Sequence, residues 1–122
     1  MATALVIDDN RQTANALAQM LEVLGFQAQL AYGSSPAILL LSHATPDLIL
    51  LDINMPGIDG LEVLAYLRRE PRLYKVPVII VTSDDQPETR QRALQAGAQG
   101  FILKPVTLTA LESEMRRLGL AR

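Results

Sequence analysis

The clearest signal for the fold is the stretch Leu48-Ile-Leu-Leu-Asp-Ile-Asn-Met-Pro-Gly-Ile-Asp-Gly60. Its first four residues, Leu48–Leu51, form an unbroken apolar run, which is typical of a strand buried on both faces of a sheet. At its other end, Asp59 stands three residues before Glu62, the spacing of a capping box that opens a helix. The stretch therefore predicts a buried strand, a polar connection and the start of a helix.

The same succession of strand and helix is predicted along the rest of the chain. Short, continuous apolar runs occur at Ala4–Ile7, Val76–Val81 and Phe101–Leu103. Residues Phe26–Leu30 instead alternate strictly between apolar and polar, as a strand with one wetter face does. We therefore expect five strands, of which the second lies at an edge of the sheet.

Helical signals follow each strand. Apolar stripes occur at Ala14, Leu17, Ala18 and Leu21, and at Leu108, Leu111, Met115 and Leu118. Ser35 before Pro36 predicts a helix N-cap, and Asp85, three residues before Glu88, predicts another capping box. Alternating strands and helices favour an α/β fold: a doubly wound parallel sheet with helices on both faces.

Length and composition limit the class of protein. The 122 residues amount to one domain, with 49% apolar and 20% charged residues. The net charge of −2 argues against a nucleic-acid-binding domain, which usually carries a basic balance. No apolar run approaches the roughly 18 residues of a membrane span. The N-terminus lacks the basic region of a signal peptide, and there is no cysteine. We expect one cytoplasmic domain over residues 1–122, with no direct contact to nucleic acid or membrane.

Reactive side chains stand where the predicted strands end. Asp8 and Asp9 follow the first strand, Asp52 the third, Thr82 the fourth and Lys104 the fifth. In a doubly wound sheet, the carboxyl ends of the strands meet at one rim, where ligands bind. These side chains are therefore expected to converge.

The converging residue types suit phosphoryl transfer. Three carboxylates repel one another unless a cation lies between them, and an all-oxygen ligand set suits Mg²⁺. An ammonium from Lys104 and a hydroxyl from Thr82 would stabilise the oxygens of a phosphoryl group. Asp52 is the better candidate for the nucleophile, because the adjacent Asp8 and Asp9 act more naturally as a metal-binding pair.

In these residues, the sequence resembles the receiver domain of bacterial two-component response regulators along essentially its whole length. The resemblance rests on Asp8-Asp9, the stretch 51–60, Thr82-Ser83 and Lys104-Pro105. The most specific part is Met-Pro-Gly-x-Asp-Gly following an aspartate at a strand end. The resemblance implies a flavodoxin-like (βα)5 fold with strand order 2-1-3-4-5.

The resemblance also implies roles for the acidic residues. Asp52 would accept a phosphoryl group from the phosphohistidine of a sensor histidine kinase or a histidine phosphotransfer protein. Asp9 would bind Mg²⁺ directly and Asp8 chiefly through water, with Asp52 and the backbone carbonyl of Asn54 as further ligands. The domain would promote its own phosphorylation and dephosphorylation without turning over an outside substrate.

A switch is implied as well. Thr82 would move to hydrogen-bond a phosphoryl oxygen, Lys104 would pair with another, and Phe101 would turn inward as Thr82 moves. The fourth helix, fifth strand and fifth helix, residues 88–118, would form a read-out face for a downstream protein or an attached output domain. Dimerisation through this read-out face stays open. The Lys104–Pro105 peptide is expected to be cis, since proline removes most of the penalty for that isomer.

Alternative functions fit these residues less well. Haloacid-dehalogenase-type phosphatases carry Asp-x-Asp after the first strand, where this chain has Asp8-Asp9-Asn10. A binding-only pseudo-receiver would normally have lost one of the acidic residues or the lysine. A flavodoxin-like cofactor binder would need a Ser/Thr-rich phosphate loop after the first strand, and none is present.

Some residues also have a purely structural interpretation. Each aspartate alone could be a strand end or a helix cap, and it is their convergence that favours a site. Phe101 could equally be a core residue. The charged group Arg68, Arg69, Glu70 and Arg72 is expected to be only a solvated helix end.

Overall fold

The computed structural model of the protein describes residues 2–120, in which five strands alternate with five helices. The strands are β1 Thr3–Ile7, β2 Gln27–Ala31, β3 Leu48–Leu51, β4 Val78–Thr82 and β5 Gly100–Leu103. The helices are α1 Arg11–Val23, α2 Ser34–Leu41, α3 Gly60–Arg69, α4 Pro87–Gln95 and α5 Leu108–Arg117. All neighbouring strands are parallel, in the order β2-β1-β3-β4-β5, which confirms the predicted sheet.

The strand boundaries follow the predicted ones with small shifts. β2 pairs only with β1 and exposes Gln27 and Gln29, so the prediction of an edge strand is confirmed. β4 begins at Val78, two residues later than predicted, because Pro77 has no N–H to donate to a neighbouring strand. Val76 belongs instead to a turn, in which its N–H donates to the Leu73 carbonyl.

Helices cover both faces of the sheet, as predicted. The apolar stripes of α1 and α5 pack on one face, against Val6, Leu50 and Val81 among others. α2, α3 and α4 pack on the opposite face, around a core that includes Ile7, Leu51 and Ile80. None of the helices within residues 2–120 is both long and apolar enough to cross a membrane. Two cores share one sheet, which therefore holds the carboxyl ends of its strands in fixed positions.

One of the three predicted helix caps is confirmed, and two are wrong. Asp59 caps α3, since its Oδ1 accepts the Glu62 N–H at 3.0 Å. α2 starts two residues earlier than a cap at Ser35 would allow, because the buried side chain of Ser34 donates to the Ile58 carbonyl and belongs to the helix.

The predicted cap at Asp85 is also wrong, because α4 begins only at Pro87, with Gln86 as its N-cap. Proline is well suited to the first helical position, where its missing N–H would have no partner in any case. It is Asp84 that organises this turn: its Oδ1 accepts the Gln86 N–H at 3.0 Å, and its Oδ2 accepts the Thr89 hydroxyl at 2.7 Å.

The prediction of a solvated helix end fails for Arg68. Its half-buried guanidinium donates to the backbone carbonyls of Val76 at 2.9 Å and Gly97 at 2.8 Å, and to Gln99 Oε1 at 2.9 Å. Burial lowers the pKa of Arg68. Arg68 thus joins the end of α3 to the segments that precede β4 and β5, at the opposite end of the sheet from the predicted site.

Candidate functional site

The backbone brings the predicted acidic residues together at the carboxyl ends of β1 and β3. Ile7 and Leu51 are register partners in these parallel strands, so the residues that follow them, Asp8 and Asp52, emerge side by side. The Asp52 N–H donates to the Ile7 carbonyl at 2.9 Å, and the Asp8 N–H donates to the Ala31 carbonyl at 3.1 Å. The ladder thus extends one residue beyond the strands and fixes both aspartates.

The three aspartates form one cluster. Each of Asp8, Asp9 and Asp52 offers a carboxylate oxygen that lies within 4.8 Å of the others. Asp8 and Asp52 are only 1% and 5% exposed, whereas Asp9 is exposed. The convergence that the sequence predicted is present, with two carboxylates in the interior and one at the mouth.

Lys104, which follows β5, supplies the positive charge of the site. Its Nζ lies 2.9 Å from Asp8 Oδ2 and 3.3 Å from Asp52 Oδ2. Burial by itself would lower the pKa of Lys104, but the hydrogen bond to Asp8 and the charges of both aspartates outweigh burial and raise it. Lys104 is therefore held as a cation beside the two buried carboxylates.

The carboxyl group of Asp52 is subject to opposing influences. Burial raises its pKa, and the nearby charge of Asp8 acts in the same direction. The backbone N–H of Asn54, which donates to Asp52 Oδ1 at 3.0 Å, and the charge of Lys104 oppose this increase. The remaining oxygen, Oδ2, faces Lys104.

The donor set fits a divalent cation. All three acidic side chains offer oxygen atoms, which Mg²⁺ prefers. Three carboxylates less one ammonium leave a formal charge of −2, which one divalent ion would balance. Within residues 2–120, Asp9 makes no side-chain hydrogen bond or ion pair that a metal would have to displace. The acidic pocket could therefore hold a metal through Asp8, Asp9 and Asp52.

Thr82, the last residue of β4, is fully buried and connects to Asp52 through Asn54. Its Oγ1 accepts the Asn54 side-chain N–H at 3.1 Å and the Asp84 backbone N–H at 3.2 Å. With both lone pairs used, the hydroxyl proton is the part of Thr82 left to donate. The resemblance implied the carbonyl of Asn54 as a metal ligand, whereas the contact of its amide with Thr82 was missed, because no local pattern signals a bond between side chains 28 residues apart.

The fifth strand places the other two predicted residues. Phe101 is buried at 9% exposure and pairs in register with Ile80, and the Arg90 guanidinium lies 5.6 Å from its ring centroid. The Lys104 N–H donates to the Thr82 carbonyl at 2.8 Å, which sets the lysine beside β4. The Lys104–Pro105 peptide is cis, as the resemblance implied.

Comparisons with known proteins agree with this geometry. Residues 4–116 match the family described as the response regulator receiver domain. The chain is 35% identical over 114 residues to the response regulator MprA of Mycobacterium sp. (strain KMS), covering 93% of this chain and 49% of that protein. It thus spans about half the length of the curated relatives it matches.

Two solved structures are also similar to this chain over almost its whole length. The receiver domain of a signal transduction histidine kinase from Syntrophus aciditrophicus is 34% identical, with a TM-score of 0.86 over 97% of this chain and 89% of that chain. The Vibrio cholerae chemotaxis protein CheY4 is 26% identical, with a TM-score of 0.89 over 96% of this chain and 98% of that chain.

Proposed function

Because the chain belongs to the response regulator receiver domain family, we propose that it is a phosphorylation-controlled switch in which Asp52 is the phosphoacceptor. The observation that carries the assignment is the environment of Asp52. It is a buried carboxylate with one oxygen on the Asn54 N–H and the other facing Lys104, beside Asp8 and Asp9, which could hold a metal together with it. Asp8 makes similar contacts, since its Oδ1 accepts the Asn10 N–H at 2.9 Å and its Oδ2 faces Lys104. Asp52 is preferred because Asp8 pairs with the adjacent Asp9, and because Asn54 links Asp52 to Thr82.

The proposed reaction is the transfer of a phosphoryl group from a phosphohistidine. A carboxylate oxygen of Asp52 attacks phosphorus, a P–O bond forms as the P–N bond breaks, and the imidazole leaves with the bonding electrons. Lys104 neutralises charge on one phosphoryl oxygen, and the hydroxyl proton of Thr82 is donated to another. Mg²⁺, held by Asp8, Asp9, Asp52 and the Asn54 carbonyl, would neutralise further charge when bound.

The output is a change in the read-out face. If Thr82 moves so that its hydroxyl reaches a phosphoryl oxygen, its contacts with Asn54 and Asp84 must adjust, and Asp84 fixes the turn that opens α4. Phe101, on the neighbouring strand, would follow by packing, because it has no hydroxyl. Leu94, Leu103 and Leu108 already expose 45%, 45% and 39% of their surface here, which suits a protein partner.

The partners follow from this chemistry. A sensor histidine kinase or histidine phosphotransfer protein would supply the phosphoryl group, and a downstream protein or an attached output domain would read the switch. Because such kinases take their phosphoryl group from ATP, we expect the protein to act in the cytoplasm. Its chemistry is confined to its own Asp52, so we expect no turnover of an outside substrate.

The test is phosphorylation by acetyl phosphate or phosphoramidate, with and without Mg²⁺, followed by intact mass measurement. We expect a metal-dependent gain of one phosphoryl group that Asp52→Asn abolishes. The matched control is Asp85→Asn, which removes an exposed aspartate outside the cluster and should label normally. Labelling of Asp52→Asn at the wild-type rate would overturn the acceptor assignment. A folded, metal-loaded protein that never labels would instead be a binding-only pseudo-receiver.

A further inference from the structure

α2 is the one helix within residues 2–120 that carries no charged side chain. Its sequence is Ser34-Ser-Pro-Ala-Ile-Leu-Leu-Leu41. Ala37 and Leu41 face the core, but Leu39 points outward and is 69% exposed. A helix that is apolar on its outer side as well as its inner side usually packs against something on both.

A groove adjoins this helix on its α3 side. It is lined by Ile38, Ile58, Glu62, Ala65, Tyr66 and Arg69. Ile58 is itself 39% exposed, so apolar surface extends from α2 across the groove. Apolar surface that continues across two elements is typical of a protein interaction site, whereas a single exposed leucine is not.

The α3 side of the groove has a distinctive charge order. Glu62, Ala65, Tyr66 and Arg69 lie at i, i+3, i+4 and i+7, so they form one stripe along the helix. Its ends carry opposite charges, separated by seven residues or about 10 Å of helix. Glu62 and Arg69 are both exposed, and neither belongs to an ion pair within residues 2–120.

We propose that this α2–α3 face, formed by Ile38, Leu39, Ile58 and the α3 stripe, binds a second copy of the chain across a two-fold axis. A two-fold contact requires a surface that is complementary to itself. With the axis near Ala65 and Tyr66, the two α3 helices run antiparallel. Glu62 of each copy then faces Arg69 of the other, and the apolar residues close around the centre.

The charge order favours a second copy over an unrelated partner. A different protein would need no pairing between the two ends of this stripe, whereas a two-fold dimer gains two ion pairs from it. The α2–α3 face shares no residue with the read-out face, so a dimer formed through it leaves the read-out face free for an output partner.

The test is a charge exchange measured by sedimentation equilibrium on the full chain at low salt. We expect a weak dimer for the wild type, because the face is short and charge pairs at its ends are partly screened. Glu62→Arg and Arg69→Glu should each raise the dissociation constant by about tenfold or more, since each turns two attractive contacts into two repulsive ones. An equimolar mixture of the two variants should form a heterodimer, because both pairs are then complementary again.

Two further variants identify the face. Leu39→Ser should weaken the dimer, whereas Leu94→Ser, a matched leucine on the read-out face, should not. All four variants should keep a cooperative thermal unfolding transition and the wild-type rate of labelling by acetyl phosphate, because none of these residues lies in the phosphoryl site. The heterodimer also shows that both charge variants fold.

Three results would overturn the proposal. The first is a wild type that stays monomeric at the highest attainable concentration, which would mean that the face binds a different protein and not a second copy. The second is a dimer that Leu94→Ser disrupts and the charge variants leave intact, which would place the contact at the read-out face. The third is a pair of charge variants that weaken the dimer but do not pair with each other.

Discussion

The carboxylate of Glu114, on α5, accepts the backbone N–H of Phe101, on β5, with 3.0 Å between Oε2 and N. β5 is an edge of the sheet, and an edge strand leaves alternate N–H and carbonyl groups without a strand partner. Arg117 extends the same arrangement, since it donates to the Gln99 carbonyl at 2.9 Å and to both oxygens of Glu114. α5 therefore covers the open edge at Phe101, the residue proposed to respond to Thr82.

Glu114→Gln should destabilise the protein by about 1 kcal/mol at neutral pH, because it weakens charge-assisted bonds to Arg117 and Phe101. Urea unfolding measures the loss. Glu112→Gln is the matched control: Glu112 pairs only with Arg116, in an exposed i,i+4 ion pair whose removal should cost about 0.3–0.5 kcal/mol. Equal losses for the two variants would contradict a special role for the Glu114 contact.

The effect of Glu114→Gln should also depend on pH. The hydrogen bond from Arg117 lowers the pKa of Glu114 below its ordinary value of 4.5, despite an opposing contribution from burial. A carboxyl group whose pKa is lower in the folded state stabilises the protein above its unfolded-state pKa. That stability is lost as the pH falls through the folded-state value. The difference between wild type and Glu114→Gln should therefore shrink in acid, and a constant difference would indicate packing instead of charge.

The sequence predicted the sheet and the acidic cluster for related reasons. Continuous apolar runs such as Leu48–Leu51 predict buried strands, and parallel strands bring their carboxyl ends to one rim. Asp8, Asp9, Asp52 and Lys104 could therefore be placed together from local patterns alone. The positions of these residues along the chain carry most of the information about the site.

Contacts between distant side chains could not be predicted in this way. Arg68 lies at the end of an amphipathic helix, where arginine is usually solvated, and only the folded chain brings the Gly97 carbonyl to it. The bond from Asn54 to Thr82 has the same origin. The prediction of a cap at Asp85 failed for a more local reason. Pro87 determines where α4 begins, and it is Asp84 that accepts the Gln86 N–H before the helix.

Arg68→Ala should lower the free energy of unfolding by about 3 kcal/mol, because it leaves several carbonyl groups without a donor. The carbonyls of Val76 and Gly97 are among them. Arg69→Ala, its exposed neighbour, should change the value by less than about 0.5 kcal/mol in dilute solution. Urea unfolding of the two variants decides the point, and similar values for both would show that water replaces the bonds of Arg68.

Mg²⁺ should stabilise the wild type by mass action, by about 2.7 kcal/mol at one hundred times its dissociation constant. Asp9→Asn should lose most of this stabilisation, since it removes the one exposed carboxylate of the cluster. Asp85→Asn should retain it. Thermal unfolding over a Mg²⁺ titration measures the effect, and undiminished stabilisation of Asp9→Asn would move the metal away from the predicted ligands.

Lys104→Ala should still be labelled by acetyl phosphate, but its read-out face should change less on labelling. Asp52, Asp8 and Asp9 remain in this variant, whereas the ammonium that would hold a phosphoryl oxygen is gone. Hydrogen exchange of residues 88–118, compared before and after labelling, measures the response. Lys75→Ala, which removes the other lysine of the chain, is the control and should respond like the wild type. A full response in Lys104→Ala would show that the ammonium does not couple the site to the read-out face.

Asp52→Asn should be more stable than the wild type at neutral pH in the presence of EDTA. Burial raises the pKa of Asp52 above its ordinary value of 3.8, with the Asn54 N–H and Lys104 opposing it in part. The folded state therefore binds this proton more tightly than the unfolded chain, and stability falls as the pH rises through the folded-state pKa. An uncharged asparagine avoids that loss, so the variant should have the higher urea midpoint at neutral pH and a smaller advantage toward pH 3.8. An Asp52→Asn protein that is less stable than the wild type at neutral pH would mean that the contact with Lys104 outweighs the cost of burying the carboxylate.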